Sequence, residues 1–350
     1  MFEQVNNMKK FKKAAIVLAS ILALFLILAF ALLVFTVQNP LYHELSKEIV
    51  PGKSLAGASP AWSLHNGIDS IVFGLASNQA QRFFRDGVQS ESIENHLQAI
   101  QFSLPRIEKG GFYPLEVRTA DGSMQAGVMV LKWMGSSSPT FIYNHGASQI
   151  PFDALIRGII QSGPHNPRAN ILVVRTPFHT ESRAELGEAS NTVSRFLAIL
   201  ATSTRINESL IQQMRKSGSE FIVVAGLSMG GYIANLHRMY FNTSDLYLPV
   251  AAGTNFADAF LHGSPAHPAA TAQPDAIRKH LDFSGSWKDT PRNVIPLLGR
   301  YDGITRIEIQ GPGYGAIPVE VWDTGHITTA TSVQALNEFL FRHFEEDSKD

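Results

Sequence analysis

Hydrophobic and polar positions divide the chain into three stretches. Ala14–Val37 is 24 residues without a charge, built mainly from Leu, Ile, Ala, Val and Phe. As a helix it reaches about 36 Å, enough to cross a hydrocarbon core of roughly 30 Å. From Pro40 to Gly111 the pattern loosens. P-G-K-S at 51–54 and G-A-S-P at 57–60 are loop chemistry, while Ile68–Phe84 has helical spacing through Ile68, Ile71, Val72 and Leu75 and Ile93–Phe102 predicts a second short helix. From Phe112 onward, short apolar runs alternate with segments of helical period.

The third stretch opens on a hairpin signal, Leu115–Thr119 and Met124–Trp133 flanking Asp121-Gly122. Strands are predicted at Thr140–Tyr143, Asn170–Val174, Phe221–Ala225, Tyr247–Ala251, Val294–Leu298 and Ile317–Val321. Between them lie helical segments at Phe152–Ile160, Ala189–Lys216 and Tyr232–Tyr240, and Ala330–His343 closes the chain. This alternation implies an α/β fold, a mostly parallel sheet with helices on both faces. Such sheets place ligands at the carboxyl ends of their strands. The expected division is a basic N-terminus over 1–13, a membrane span over 14–37, a juxtamembrane segment over 38–111 and a main domain over 112–350. A small lid is expected at about 253–291, where Phe256–Trp287 separates two strands and carries Pro265, Pro268 and Pro274.

Charge sharpens the reading of the first stretch. Lys9, Lys10, Lys12 and Lys13 stand just before the apolar run, against Glu3 alone. Lysine bias of this kind keeps the N-terminus in the cytoplasm and sends the chain beyond Gln38 to the extracytoplasmic side. Ala29-Phe30-Ala31 has the shape of a signal-peptide cleavage site, but it lies inside the run with Leu32–Val37 behind it, so a retained anchor is expected. Without the first 13 residues the chain keeps 25 of its 29 basic and 29 of its 30 acidic residues, a net charge of −4. No basic surface for nucleic acid is implied. The absence of cysteine excludes disulfides, a thiol nucleophile and thiolate metal sites.

Candidate chemistry centres on Glu220–Gly231, E-F-I-V-V-A-G-L-S-M-G-G. An apolar, β-branched run ends in a G-x-S-x-G pattern, and a helical pattern starts at once behind it. In that context Ser228 stands at the apex of a tight turn, and Gly226 and Gly230 are small because strand and helix nearly touch there. A serine hydroxyl needs an imidazole to take its proton and a carboxylate to orient the imidazole. His326, in Asp323-Thr324-Gly325-His326, follows the last predicted strand; Asp302, in Gly299-Arg300-Tyr301-Asp302-Gly303, follows the one before. Asp323 competes for the carboxylate role by proximity and is read as shaping the turn.

The order Ser…Asp…His on this alternation resembles the α/β-hydrolase superfamily over roughly Phe112–Phe344. The resemblance implies Ser228 as nucleophile, Asp302 as acid and His326 as base. It also implies an oxyanion hole from the N–H of Met229 and that of Ala147 or Gly146, because Asn144-His145-Gly146-Ala147 matches the superfamily's oxyanion loop. His145 precedes the nucleophile and is expected to organise that loop.

No cofactor is called for. Asp258, His262 and His267 lack metal-ligand spacing, so no metal site is expected. The expected activity is a membrane-anchored serine hydrolase that opens a carboxylic ester, thioester or amide of a small-molecule or lipid-like acyl substrate. Two alternatives stay open: a serine peptidase, because Gly226–Tyr232 also fits the elbow of prolyl-oligopeptidase-type enzymes, and a catalytically silent binding protein on the same fold.

Overall fold

The computed structural model describes residues 45–58, 63–75, 80–147, 149–263, 267–287 and 293–345. The basic segment 1–13 and the expected span 14–37 lie outside the described residues. Among those described, no helix is long and apolar enough to cross a membrane.

The chain enters on a strand that sequence patterning did not predict, β1 (Lys47–Pro51), and continues into α1 (Leu64–Leu75) and α2 (Ile93–Ala99). The hairpin follows as β2 (Gly111–Thr119) and β3 (Gly122–Lys132), turning at Gly122 with a φ of 97°. Alternation then runs through β4 (Thr140–Asn144), α3 (Ala154–Ser162), β5 (Asn170–Arg175), α4 (Glu185–Ala189) and α5 (Val193–Lys216). The second half holds β6 (Ile222–Leu227), α6 (Met229–Tyr240) and β7 (Leu246–Val250). After three short helices, α7 (Phe256–Leu261), α8 (Pro268–Ala272) and α9 (Pro274–Leu281), come β8 (Leu297–Gly299), α10 (Ile307–Gly313), β9 (Pro318–Trp322), α11 (His326–Thr331) and α12 (Val333–Phe341).

The sheet has nine strands in the order β1-β9-β8-β7-β6-β4-β5-β3-β2. Strands β4 to β9 run parallel to their neighbours among themselves; β1 on β9, and β2 and β3 at the other edge, are antiparallel. Central strands β4, β6 and β7 are buried at every position, as a parallel sheet covered on both faces requires. Their apolar runs are therefore continuous rather than alternating, which is the pattern the sequence carries.

Several boundaries moved for local reasons. The long helix expected from Ala189 begins at Val193, where the Thr192 side chain accepts from the Arg195 N–H and caps it. The strand expected from Val294 forms only over Leu297–Gly299; Pro296 lacks the N–H a ladder needs, and Val294 makes only an isolated bridge to Tyr247. The last expected helix is two, α11 and α12, parted at Ser332.

The largest difference lies before residue 111. Described residues from Ser46 onward form one compact unit, with no division at 111. β1 pairs with β9 along its whole length, from Lys47 opposite Trp322 to Pro51 opposite Pro318. It covers an edge that would otherwise be open. The sequence K-E-I-V-P, short and ending in proline, is what an edge strand tolerates and gives little strand signal. Helix α1 starts earlier than expected and turns its apolar stripe outward: Leu64, Ile71 and Leu75 are 57%, 60% and 73% exposed. Phe83 and Phe84 do not extend it. Phe84 sits in a turn at a φ of 61°, and both rings pack against Phe196 and Phe260.

Candidate active site

The turn between β6 and α6 puts Ser228 at a φ of 55° and ψ of −122°. A side chain held there costs on the order of 1–3 kcal/mol, so the surroundings must over-determine it. They do. The Ser228 N–H donates to the Val250 carbonyl at 2.8 Å, and the Ser228 carbonyl accepts from Gly231 at 2.8 Å and Tyr232 at 3.1 Å. The flanking glycines are dictated by space. A Cβ at Gly226 would lie 2.2 Å from the Gly230 carbonyl oxygen, and one at Gly230 would lie 2.0 Å from that of Asn144. The turn is thus wedged between its own helix and the end of β4.

Asp302 and His326 follow β8 and β9 at the same end of the sheet. The Asp302 carboxylate is buried, and its Oδ1 accepts from the Ile304 and Thr305 N–H groups at 2.8 and 2.7 Å. Its Oδ2 lies 2.7 Å from His326 Nδ1, and His326 Nε2 lies 2.9 Å from Ser228 Oγ. A carboxylate only accepts, so Nδ1 carries the proton and Nε2 is left free to accept from the serine hydroxyl. Burial alone would lower the imidazole's pKa. The neighbouring Asp302 charge and hydrogen bond, with a further contribution from Asp69, outweigh it and raise the pKa above the usual 6.5.

Asp323 plays another part: its Oδ1 accepts from Arg300 Nε at 2.7 Å. Asp258 is held by Arg306, whose Nε and Nη2 donate to it at 3.0 and 2.6 Å, and His267 Nδ1 bonds the Ala80 carbonyl at 3.1 Å. Among the described residues no cluster of metal-ligating side chains occurs.

The oxyanion loop lies beside the serine, since a Cβ on Gly146 would stand 3.7 Å from Ser228 Cβ. His145 is fully buried, donating through Nδ1 to the Gly146 carbonyl at 2.8 Å and accepting at Nε2 from the Thr176 N–H at 3.1 Å. Burial, reinforced by His179, holds its pKa well below the usual range, so it is a neutral brace between the loops after β4 and β5. The Gly146 N–H donates to Gln149 Oε1 at 3.2 Å. Met229 is the first residue of α6, and its N–H belongs to the first-turn donors that have no acceptor within a helix.

The region expected to form a lid holds α7, α8 and α9 and meets the site through aromatic packing. Tyr232, one turn into α6, stacks on Phe256 of α7 at 3.8 Å with the rings 2° from parallel.

One group near the site escaped sequence reading. Asp69 of α1 is 1% exposed. Its Oδ2 accepts from the His326 N–H at 2.7 Å and its Oδ1 from the Ile327 N–H at 2.9 Å. Phe73, one turn further along α1, presents its ring at a steep angle to the His326 imidazole at 5.6 Å. No motif marks this aspartate; the only signal is a single acid set inside an apolar helical stretch.

No protein-family model and no curated protein sequence matches the chain. Among solved structures it is similar to the acylaminoacyl peptidase of Pyrococcus horikoshii, at 12% identity and a TM-score of 0.44, covering 70% of this chain and 43% of that one. It is also similar to an esterase of Pyrobaculum calidifontis, at 11% identity and a TM-score of 0.46, covering 81% and 99%. Acetyl xylan esterase 1 from Thermoanaerobacterium sp. JW/SL YS485 is a third, at 11% identity and a TM-score of 0.45, covering 73% and 98%. This chain thus spans less than half the length of the peptidase. The fold rests on the chain's own strand order and on the strand–serine–helix turn, not on these likenesses. By that order and that turn, the chain has the α/β-hydrolase fold.

Proposed function

We propose that this protein is a serine hydrolase that opens a carboxylic ester through an acyl-enzyme. The observation that carries the reading is the continuous array from Asp302 through His326 to Ser228 Oγ, at 2.7 and 2.9 Å. His326 Nε2 takes the hydroxyl proton as Oγ attacks the acyl carbonyl. The Met229 N–H faces the charge that develops on oxygen, and Ala147 supplies the second donor, since the Gly146 N–H is already engaged by Gln149. His326 then hands its proton to the leaving alcohol, and water repeats the sequence to release the acid. Asp302 holds the Nδ1–H tautomer and stabilises the imidazolium that forms twice per turnover.

Phe73, beside the imidazole, offers an apolar contact that suits a small or lipid-like acyl group. Ala14–Val37, with its lysine cluster, anchors the enzyme so that the catalytic domain stands on the extracytoplasmic side.

A fluorophosphonate probe tests the chemistry: labelling of the wild type and none of Ser228→Ala is expected, and equal labelling of both sinks it. A panel of esters, thioesters and peptides on the same protein ranks leaving groups; turnover confined to peptides makes it a peptidase. Carbonate extraction and protease accessibility test the anchor: release into the soluble fraction, or protection of the catalytic domain in right-side-out vesicles, overturns it.

A further inference from the structure

The histidine turn is held by a helix that lies outside the β-α alternation. Besides Phe73, three residues of α1 bond this turn or the neighbouring Asp302 loop. Asp69 takes the N–H groups of His326 and Ile327 at 2.7 and 2.9 Å and approaches that of Gly303 at 3.3 Å. His65 Nδ1 bonds Thr328 Oγ1 at 2.9 Å, and Asn66 Nδ2 donates to the Tyr301 carbonyl at 2.6 Å. Both loops that carry the base and its carboxylate are therefore tied to one turn and a half of α1. Space enforces the arrangement: a Cβ on Gly325 would lie 2.7 Å from Asp69 Oδ2.

We propose that Asp69 is a positioning residue for the catalytic base, acting on His326 through its backbone N–H and through its charge, so that the segment before the hydrolase alternation is part of the catalytic machinery. This rests on the proposed role of His326. The carboxylate accepts donors from both loops at once, and so fixes the Nε2 atom against Ser228 Oγ in the face of any relative movement of those loops. Its charge also adds to that of Asp302 in stabilising the imidazolium.

Burial and the nearby Asp302 raise the Asp69 pKa above the usual 3.8, even though the backbone donors pull it down. Ionising it in place therefore costs stability: the contribution of this group is greatest below the unfolded pKa and falls as pH rises through the folded one. An asparagine would avoid that cost but, with a single acceptor oxygen, would turn its amide N–H toward one of the backbone donors. The groups that bear on it are His326 and Asp302 from the two loops, with His65 one turn earlier on its own helix bonded to Thr328.

The test compares the full-length wild type with Asp69→Asn, by steady-state kinetics per fluorophosphonate-titrated site, pH profiles of kcat/KM, and thermal unfolding. Asp69→Asn is expected to lower kcat by about 10- to 100-fold with KM within about threefold, because a misplaced base costs turnover rather than binding. The acidic limb of kcat/KM is expected to move to lower pH, since one charge that favours the imidazolium has gone. A merely structural residue lowers Tm and the titrated fraction but leaves both the per-site kcat and the limb in place; that result overturns the proposal. Should Asp69→Asn not fold, Asn66→Ala loosens the same helix without touching the carboxylate. A reduced per-site kcat at unchanged KM supports the proposal, and an unchanged kcat overturns it. A wild type that fails to label with the probe instead removes the hydrolase reading beneath it.

Discussion

Two turns meet at the site, and they are held in different ways. The Ser228 turn is closed by its own helix, by Val250 on the neighbouring strand and by the tip of β4, all packed so tightly that two glycines are obligatory. The His326 turn has internal bonds of its own, among them the Gly325 N–H donating to Thr328 Oγ1 at 2.8 Å and Thr329 Oγ1 to the Gly325 carbonyl at 2.7 Å; it is tied to the Asp302 loop by the Tyr301 N–H donating to the Thr324 carbonyl at 2.9 Å, and it is steadied from α1 by a carboxylate 257 residues upstream. The Ser228 turn is thus held by backbone packing so close that it demands glycines, which a short motif records. The His326 turn adds to its internal bonds a side-chain contact from α1, which no motif records.

Four experiments break or sharpen that contrast. Ser228→Ala is expected to lower kcat by about 10⁵-fold or more while leaving the melting temperature within a few degrees, because the removed oxygen takes no part in closing the turn. Asp302→Asn is expected to lower kcat by about 10⁴-fold, since the amide no longer fixes the Nδ1–H tautomer; steady-state rates with a chromogenic ester read both. Gly230→Ala strikes the local turn instead. With a Cβ at 2.0 Å from the Asn144 oxygen it is expected to cost about 3 kcal/mol or more in urea unfolding. Unchanged stability there means the elbow is looser than its packing requires. The smallest effect is in wild-type pH dependence. The raised His326 pKa means that kcat/KM climbs with pH through a midpoint above 6.5, as the imidazole loses its proton and becomes a base. In the folded protein the same shift stabilises the charged form, a contribution present below the unfolded pKa and lost as pH rises through the folded one. A midpoint below 6.5 shows that burial, not the carboxylates, governs the base.

The same contrast explains what could be read from the chain. Central strands β4, β6 and β7 are buried on both faces, so their apolar runs stand out, and the elbow glycines are fixed by clashes within a few ångströms. Ser228, Asp302 and His326 each follow a strand end, which the β-α order makes visible. β1 and Asp69 were not visible. β1 is five residues of mixed polarity paired, among the described residues, with β9 alone, and Asp69 lies in a helix whose apolar stripe suggests a buried face where the structure exposes Ile71 and Leu75. In both cases the deciding contacts come from the far end of the chain.

The pairing of β1 with β9 also sets an order of assembly. During synthesis the elbow can form once β4, β6, β7 and α6 have emerged, because its contacts lie among them. β1 is made earlier than any of these but has no strand to join until β9, almost the last element, is complete. α1 follows β1 directly, so the anchor of the histidine turn arrives at its place when the first and last strands close on each other. Such a non-local pairing is slow to form and comes late in folding. On the proposed function, Ser228 is then in place before the imidazole that would activate it is fully steadied, and activity is expected only once β1 and β9 have paired.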